Sequence, residues 1–148
     1  MEGADYELVL ASCGGYPKDI NLIQSHKAIH HAAAFVRDGG RLILLAACPD
    51  GVGSQTFLPW FDLGGWDAVF ERLAGRYEGN GGTALALMEK TRRIRIDLVS
   101  ALPAEIARKI GVGAISMEEA RQAVRAHQGT LAVIPNASVL VRRDSEKK

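Results

Sequence analysis

Gln24 and Lys27 stand three residues apart, just after the run Cys13-Gly14-Gly15-Tyr16-Pro17-Lys18-Asp19-Ile20-Asn21-Leu22. An amide and an ammonium on one helix face beside a glycine turn can hold a carboxylate or a phosphate. His31, four residues past Lys27, adds an imidazole to the same face. A lone helix lysine is as a rule solvated, and apolar residues scattered on a surface need no explanation, so this reading depends on what surrounds the face. His26 and His30 have the i, i+4 spacing of a metal pair, but no third ligand lies near and there is no HExxH pattern, so no metal site is expected. Gly51-Val52-Gly53 fits neither GxxxxGK[ST] nor GxGxxG, and the absence of GxSxG leaves Ser12 and Ser54 without support as nucleophiles.

These residues need a strand to end at the glycines and a helix to start after them. Tyr6 to Ser12 is a short apolar strand, and ligands of open α/β sheets bind beyond such carboxyl ends. Pro17 and Asp19 are helix-start residues, with Asp19 expected to accept a first-turn N–H. The helix is expected over Ile20 to Val36, with Leu22, Ile29, Ala33 and Val36 facing the sheet and Asp38-Gly39-Gly40 stopping it. Gln24, Lys27 and His31 then project outward, with Ile20, Ile23 and Ala34 near the same side. Arg41 to Ala47 reads as a strand buried on both faces, followed by the loop Cys48-Pro49-Asp50-Gly51-Val52-Gly53-Ser54.

Short helices are expected at Gln55 to Phe61 and Trp66 to Leu73, and a longer one at Thr83 to Lys90. Ile94 to Val99 is a strand, Pro103 to Ile110 a helix and Gly113 to Ser116 a brief strand. Ser116 and Glu119 start a capping box for a helix reaching His127, Thr130 to Pro135 is a strand, and Ser138 to Val141 adds an edge. Strands alternating with helices predict a three-layer, Rossmann-like α/β fold with a largely parallel sheet.

The 148 residues, 47% hydrophobic and 24% charged, suit one domain with a sizeable core, neither disordered nor membrane-spanning. A net charge of +1 gives no basic field for nucleic acid. The charged run Arg142 to Lys148 reads as a solvated terminus. Cys13 and Cys48 lack metal-type spacing; free thiols and a cytoplasmic protein are expected, although the two come close if their strands are neighbours. The first residues lack signal-peptide character. A strand beginning almost at once suggests a domain excised from a longer protein.

The block Gly14 to Leu22 with Gln24 and Lys27, then Cys48-Pro49-Asp50-Gly51-Val52-Gly53 with Phe57 and Trp60, resembles the C-terminal domain of the nickel-dependent lactate racemase family. The first block is long and specific, the second supportive, and the sequence-level likeness lies in roughly the first 60 residues. The resemblance implies interconversion of 2-hydroxy-acid enantiomers by hydride transfer to a nickel pincer nucleotide held between two domains. The missing N-terminal domain would carry the nickel, the cofactor lysine and the proton-exchanging histidines, so the 148-residue domain alone is expected to be inactive. To this chain it assigns substrate or cofactor binding by Gln24 and Lys27, with Gly14, Gly15 and Tyr16 forming the loop and Trp60 a weaker candidate.

One departure is visible. Ile23 stands where the family commonly has tyrosine, which makes the pocket more apolar and points to a bulkier or different 2-hydroxy acid than lactate. Two other readings stay open on the residues: a stand-alone phosphate- or nucleotide-binding module at the Gly14-Gly15 and Gly51-Gly53 edge, and a structural lid domain.

Overall fold

A computed structural model describes residues 5–76 and 78–139. Its order is β1 (Tyr6–Ser12), α1 (Leu22–Ala33), β2 (Val36–Leu45), a 3-10 turn (Leu58–Asp62), α2 (Trp66–Gly75), α3 (Gly81–Arg93) and β3 (Arg95–Val99). There follow α4 (Ala104–Lys109), β4 (Gly113–Ala114), α5 (Met117–Ala126), β5 (Leu131–Ile134) and a second 3-10 turn (Ala137–Val139). The five strands form one sheet in the order β4-β3-β2-β1-β5, and every pairing is parallel. The α/β expectation therefore holds.

The chain builds outward from β1 through β2, β3 and β4, then returns to place β5 on the other side of β1. Connections in a parallel sheet are right-handed, so reversing the direction of travel moves the connecting helix to the opposite face. That is what the packing shows. Leu22, Ile29, Val69, Ala84, Leu87 and Ala107 from α1 to α4 join Val9, Leu42, Leu44, Ile96 and Leu98 in one buried cluster. Ala120 of α5 packs with Leu8 and Ile43 on the other face. The three layers are thus unequal, four helices on one side and one on the other, and Val133 of edge strand β5 stays 59% exposed. Among the described residues no helix is long and apolar enough to cross a membrane.

Several expected boundaries move. The first helix ends at Ala33, and Asp38-Gly39-Gly40 lies inside β2 instead of stopping the helix. Tyr6 pairs with Val36 but Leu8 pairs with Arg41, so residues 37–40 bulge out of the β1–β2 register. Burial of Phe35 and Val36 against the sheet outweighs helical continuation. Gly40 is required in the bulge, since a Cβ there would lie 2.9 Å from the Glu7 carbonyl oxygen. The helix expected over Gln55 to Phe61 is the 3-10 turn at Leu58–Asp62, and the edge strand expected from Ser138 is instead a 3-10 turn through Val139. Val141 and the charged tail lie outside the described residues.

Candidate functional site at the first strand-to-helix turn

The glycine turn after β1 carries Tyr16, 78% exposed, and the Tyr16–Pro17 peptide is cis. Two turns follow before the helix, closed by Lys18 N–H to the Gly15 carbonyl (2.9 Å) and Ile20 N–H to the Pro17 carbonyl (3.2 Å). They delay α1, so the cap is Asn21 and not Asp19. Asn21 Oδ1 accepts the Gln24 N–H at 2.8 Å. Asp19 is used differently. Its Oδ2 accepts the Ala47 N–H (3.1 Å) and its carbonyl accepts the Cys48 N–H (2.8 Å), which ties the first turn to the end of β2.

The second loop is laid over the start of α1. Leu22 N–H donates to the Gly51 carbonyl (3.0 Å) and Ile23 N–H to the Val52 carbonyl (3.1 Å). With Gln24 N–H on Asn21 Oδ1, the first-turn donors that make a helix N-terminus an anion site are taken. The space a Gly53 side chain would fill holds the Asn21 amide, 2.5 Å from that Cβ position to Nδ2. The two glycine loops brace each other and leave no phosphate cradle between them.

The same closure occurs where the strand order reverses, between β1 and β5, where open α/β sheets commonly bind ligands. Gly14 has φ of +93°, and a Cβ on it would lie 2.6 Å from the Asn136 side-chain amide. With its amide oriented to suit both neighbours, Asn136 Nδ2 donates to the Cys13 carbonyl (3.1 Å) and Oδ1 accepts from Lys18 Nζ (2.8 Å). Ser138 Oγ donates to the same Cys13 carbonyl at 2.7 Å. Lys18, Asn136 and Ser138 plug the crevice. No local pattern joins them, because only the placement of β5 beside β1 brings them together.

The outward side of α1 is open, as is a cavity of about 460 Å³ beyond the carboxyl ends of β1, β2 and β3, lined by Ser12, Asp19, Ala47 and Ser100. Gln24 and Lys27 are exposed, and neither side chain makes a hydrogen bond or ion pair among the described residues. Ile23, half-buried, packs against the main core, and its methyl groups border this face. His31 is brought to the same helix but is committed elsewhere: its Nδ1–H donates to the Ala137 carbonyl at 2.9 Å, since a carbonyl can only accept. It fastens the turn after β5 onto α1. Trp60, 6% exposed, sits in the core under the Arg72 guanidinium, 5.3 Å from its ring, and not on the open face.

The remaining candidates are quiet chemically. Burial, helped by the Lys90 and His30 charges, pushes His26 down to about 4. His30 is lowered by burial, Lys90 and His31. Among the described residues no group of three His, Cys, Asp or Glu could hold a metal ion. Cys13 and Cys48 are buried free thiols around Ser25, whose Oγ lies 3.6 Å from Cys48 Sγ. Burial pushes Cys13 up to about 11 against the opposing Ser25 hydrogen bond, and raises Cys48 as well, so neither is a thiolate nucleophile near neutral pH.

Comparison with known proteins falls on these residues. The family model for the lactate racemase C-terminal domain matches residues 1–76, which hold both loops, α1 and Trp60. The lactate racemase of Thermoanaerobacterium thermosaccharolyticum is 44% identical over 55 residues, covering 37% of this chain and 13% of that protein. That of Lactiplantibacillus plantarum is 36% identical over 53 residues, covering 36% and 12%. The solved lactate racemase apoprotein of T. thermosaccharolyticum superposes with a TM-score of 0.82 at 25% identity, over 96% of this chain and 37% of that one. A structural-genomics protein from Thermotoga maritima shares the fold at a TM-score of 0.59 and 13% identity. The matches span only a minor part of each lactate racemase, while residues 1–76 carry the family's pattern. The chain belongs to the lactate racemase C-terminal domain family.

Proposed function

We propose that this chain forms one wall of the active-site cleft of a lactate-racemase-like enzyme that interconverts 2-hydroxy-acid enantiomers. The other wall is a companion N-terminal domain that holds a nickel pincer nucleotide, and the 148-residue domain alone is inactive. The observation that carries this is the pairing of Gln24 with Lys27. Both lie inside the segment that matches the family, exposed and without partners among the described residues, on a helix whose first turn is locked by the second loop.

Among the described residues no group of three His, Cys, Asp or Glu could hold a metal ion, so nickel ligation does not fit this wall. The work of this chain is to bind and orient. The Lys27 ammonium pairs with the substrate carboxylate, and Gln24, three residues earlier and on the same side of the helix, supplies an amide for the carboxylate or hydroxyl. Fixing the carboxylate fixes the direction of the reacting carbon, and exclusion of water as the cleft closes strengthens the ion pair. Tyr16, held out by Gly14 and Gly15, borders the cleft mouth. Ile23 gives the pocket an apolar side suited to a 2-hydroxy acid larger than lactate.

The test is the D/L interconversion rate of the enzyme containing both walls. Lys27→Ala is expected to lower kcat/KM at least about 100-fold, the scale of losing a charge-assisted contact in a closed site, with an unchanged melting temperature. A wild-type rate in Lys27→Ala removes this face from the site and favours a structural lid. Turnover by the 148-residue chain alone would refute the two-wall reading.

A further inference from the structure

The edge of the sheet opposite the Gly14-Gly15 turn holds a second polar feature. There the start of β3 and the end of α3 border an open cavity of about 460 Å³ whose charged lining is Arg92, Arg93, Arg95 and Asp97. Asp97 is buried, 1% exposed. Its Oδ2 accepts the Arg41 Nε–H at 2.6 Å and forms an ion pair with Arg95, whose Nε lies 3.0 Å away. One guanidinium neutralises a buried carboxylate, so the second brings a surplus positive charge to the cavity.

The three lining arginines are not equivalent. Arg93 is committed, since it donates to the Val36 and Ala33 carbonyls at 2.7 Å each and to Asp38 at 3.2 Å. Arg95 is paired with Asp97 only through Nε, and its guanidinium makes no hydrogen bond among the described residues. Arg92 lies over the Trp66 ring at 5.4 Å and has no carboxylate partner among the described residues. Two guanidiniums therefore keep free donor edges beside one cavity, one of them aimed by a buried carboxylate. Gly113 is what lets that carboxylate sit there, because a Cβ on it would collide with Asp97 Oδ1. A Cβ on Gly39 would meet nothing within 4 Å, so the mouth is clear there.

We infer that this cavity is an anion site for a phosphate group, gripped by Arg92 and Arg95 with Asp97 and Arg41 as positioning residues. Planar guanidinium edges match phosphate oxygens bidentately, and a dianion relieves the repulsion between the two cations. The site is separate from the 2-hydroxy-acid cleft and does not rest on it.

Nuclear magnetic resonance titration of the ¹⁵N-labelled chain with inorganic phosphate and with adenosine monophosphate, at ionic strength matched by sodium chloride, tests it. Saturable shifts of the Gly39, Arg95, Gly111 and Gly113 amides are expected, absent in chloride. Arg95→Gln should weaken binding at least about tenfold, the scale of one charge-assisted hydrogen bond. Arg92→Gln, which leaves the Asp97 pair untouched, should do the same and covers the case of an Arg95 variant that misfolds. Tighter binding of the nucleotide identifies a phosphate ester as ligand, and equal binding identifies free phosphate. Shifts that do not saturate, that chloride reproduces, or that both variants retain would overturn the site.

Discussion

Lys27 and His26 are neighbours in sequence with opposite fates, because a turn of helix sends one outward and the other into the packing between helices. Lys27 stays free to meet an anion. His26 has a buried Nε2 with no partner and is held neutral, its pKa pushed down to about 4 from 6.5. An unfolded chain binds that proton more readily, so the stability contributed by neutral His26 is full above pH 6.5 and is lost as pH falls through 4. Urea unfolding at pH 7 and pH 4.5 should show a smaller acid loss for His26→Leu than for the wild type, by about 2 kcal/mol. An equal loss would show that His26 does not titrate differently on folding. The buried thiols give a second check at this scale: iodoacetamide should alkylate Cys13 and Cys48 far more slowly in the native chain than in urea.

At the scale of elements, α1 is positioned by what grips its ends. Asn21 and the Gly51-Val52 carbonyls hold its start, and the His31 bond to Ala137 holds its last turn to the segment after β5. Asn21→Ala should cost about 1 kcal/mol of stability in thermal or urea unfolding. Because the cap also seats the second loop, in the two-wall enzyme proposed above it should lower D/L interconversion beyond what the stability loss explains. An Asn21→Ala variant with full activity would show that loop seating is irrelevant to Gln24 and Lys27. The bounds of this helix were only half legible. The apolar stripe Leu22, Ile29, Ala33 is plain, but Asp38-Gly39-Gly40 reads as the stop, because glycines mark breaks without saying whether they end a helix or bulge a strand.

Across the whole molecule, the sheet order sets two edges with different chemistry. At the carboxyl edge the paired loops brace each other and Asn136 fills the space beside the turn after β1, while an open cavity of about 460 Å³ remains beyond β1, β2 and β3, lined by Ser12, Asp19, Ala47 and Ser100. The amino edge keeps an arginine surplus around Asp97. Removing that carboxylate leaves two guanidiniums facing each other, so Asp97→Ala should destabilise by about 3 kcal/mol in urea unfolding. A change within about 0.5 kcal/mol would show the cluster to be solvated rather than structural.

The sequence by itself determined the alternating elements, the parallel sheet and the resemblance carried by Gly14 to Lys27, because periodicity, glycine turns and contiguous motifs are local properties of the chain. It also placed Gln24 and Lys27 on an outward face, since helical geometry needs no partner. Only the tertiary structure decided that Asn21 and not Asp19 caps the helix, that His31 is committed to Ala137, and that Trp60 belongs to the core. It alone placed Asn136 against Gly14 and gathered Arg41, Arg95 and Asp97. Those contacts join residues up to 125 positions apart, such as Ser138 and Cys13. They exist only once β5 has crossed beside β1 and β3 beside β2, and no local pattern encodes that order.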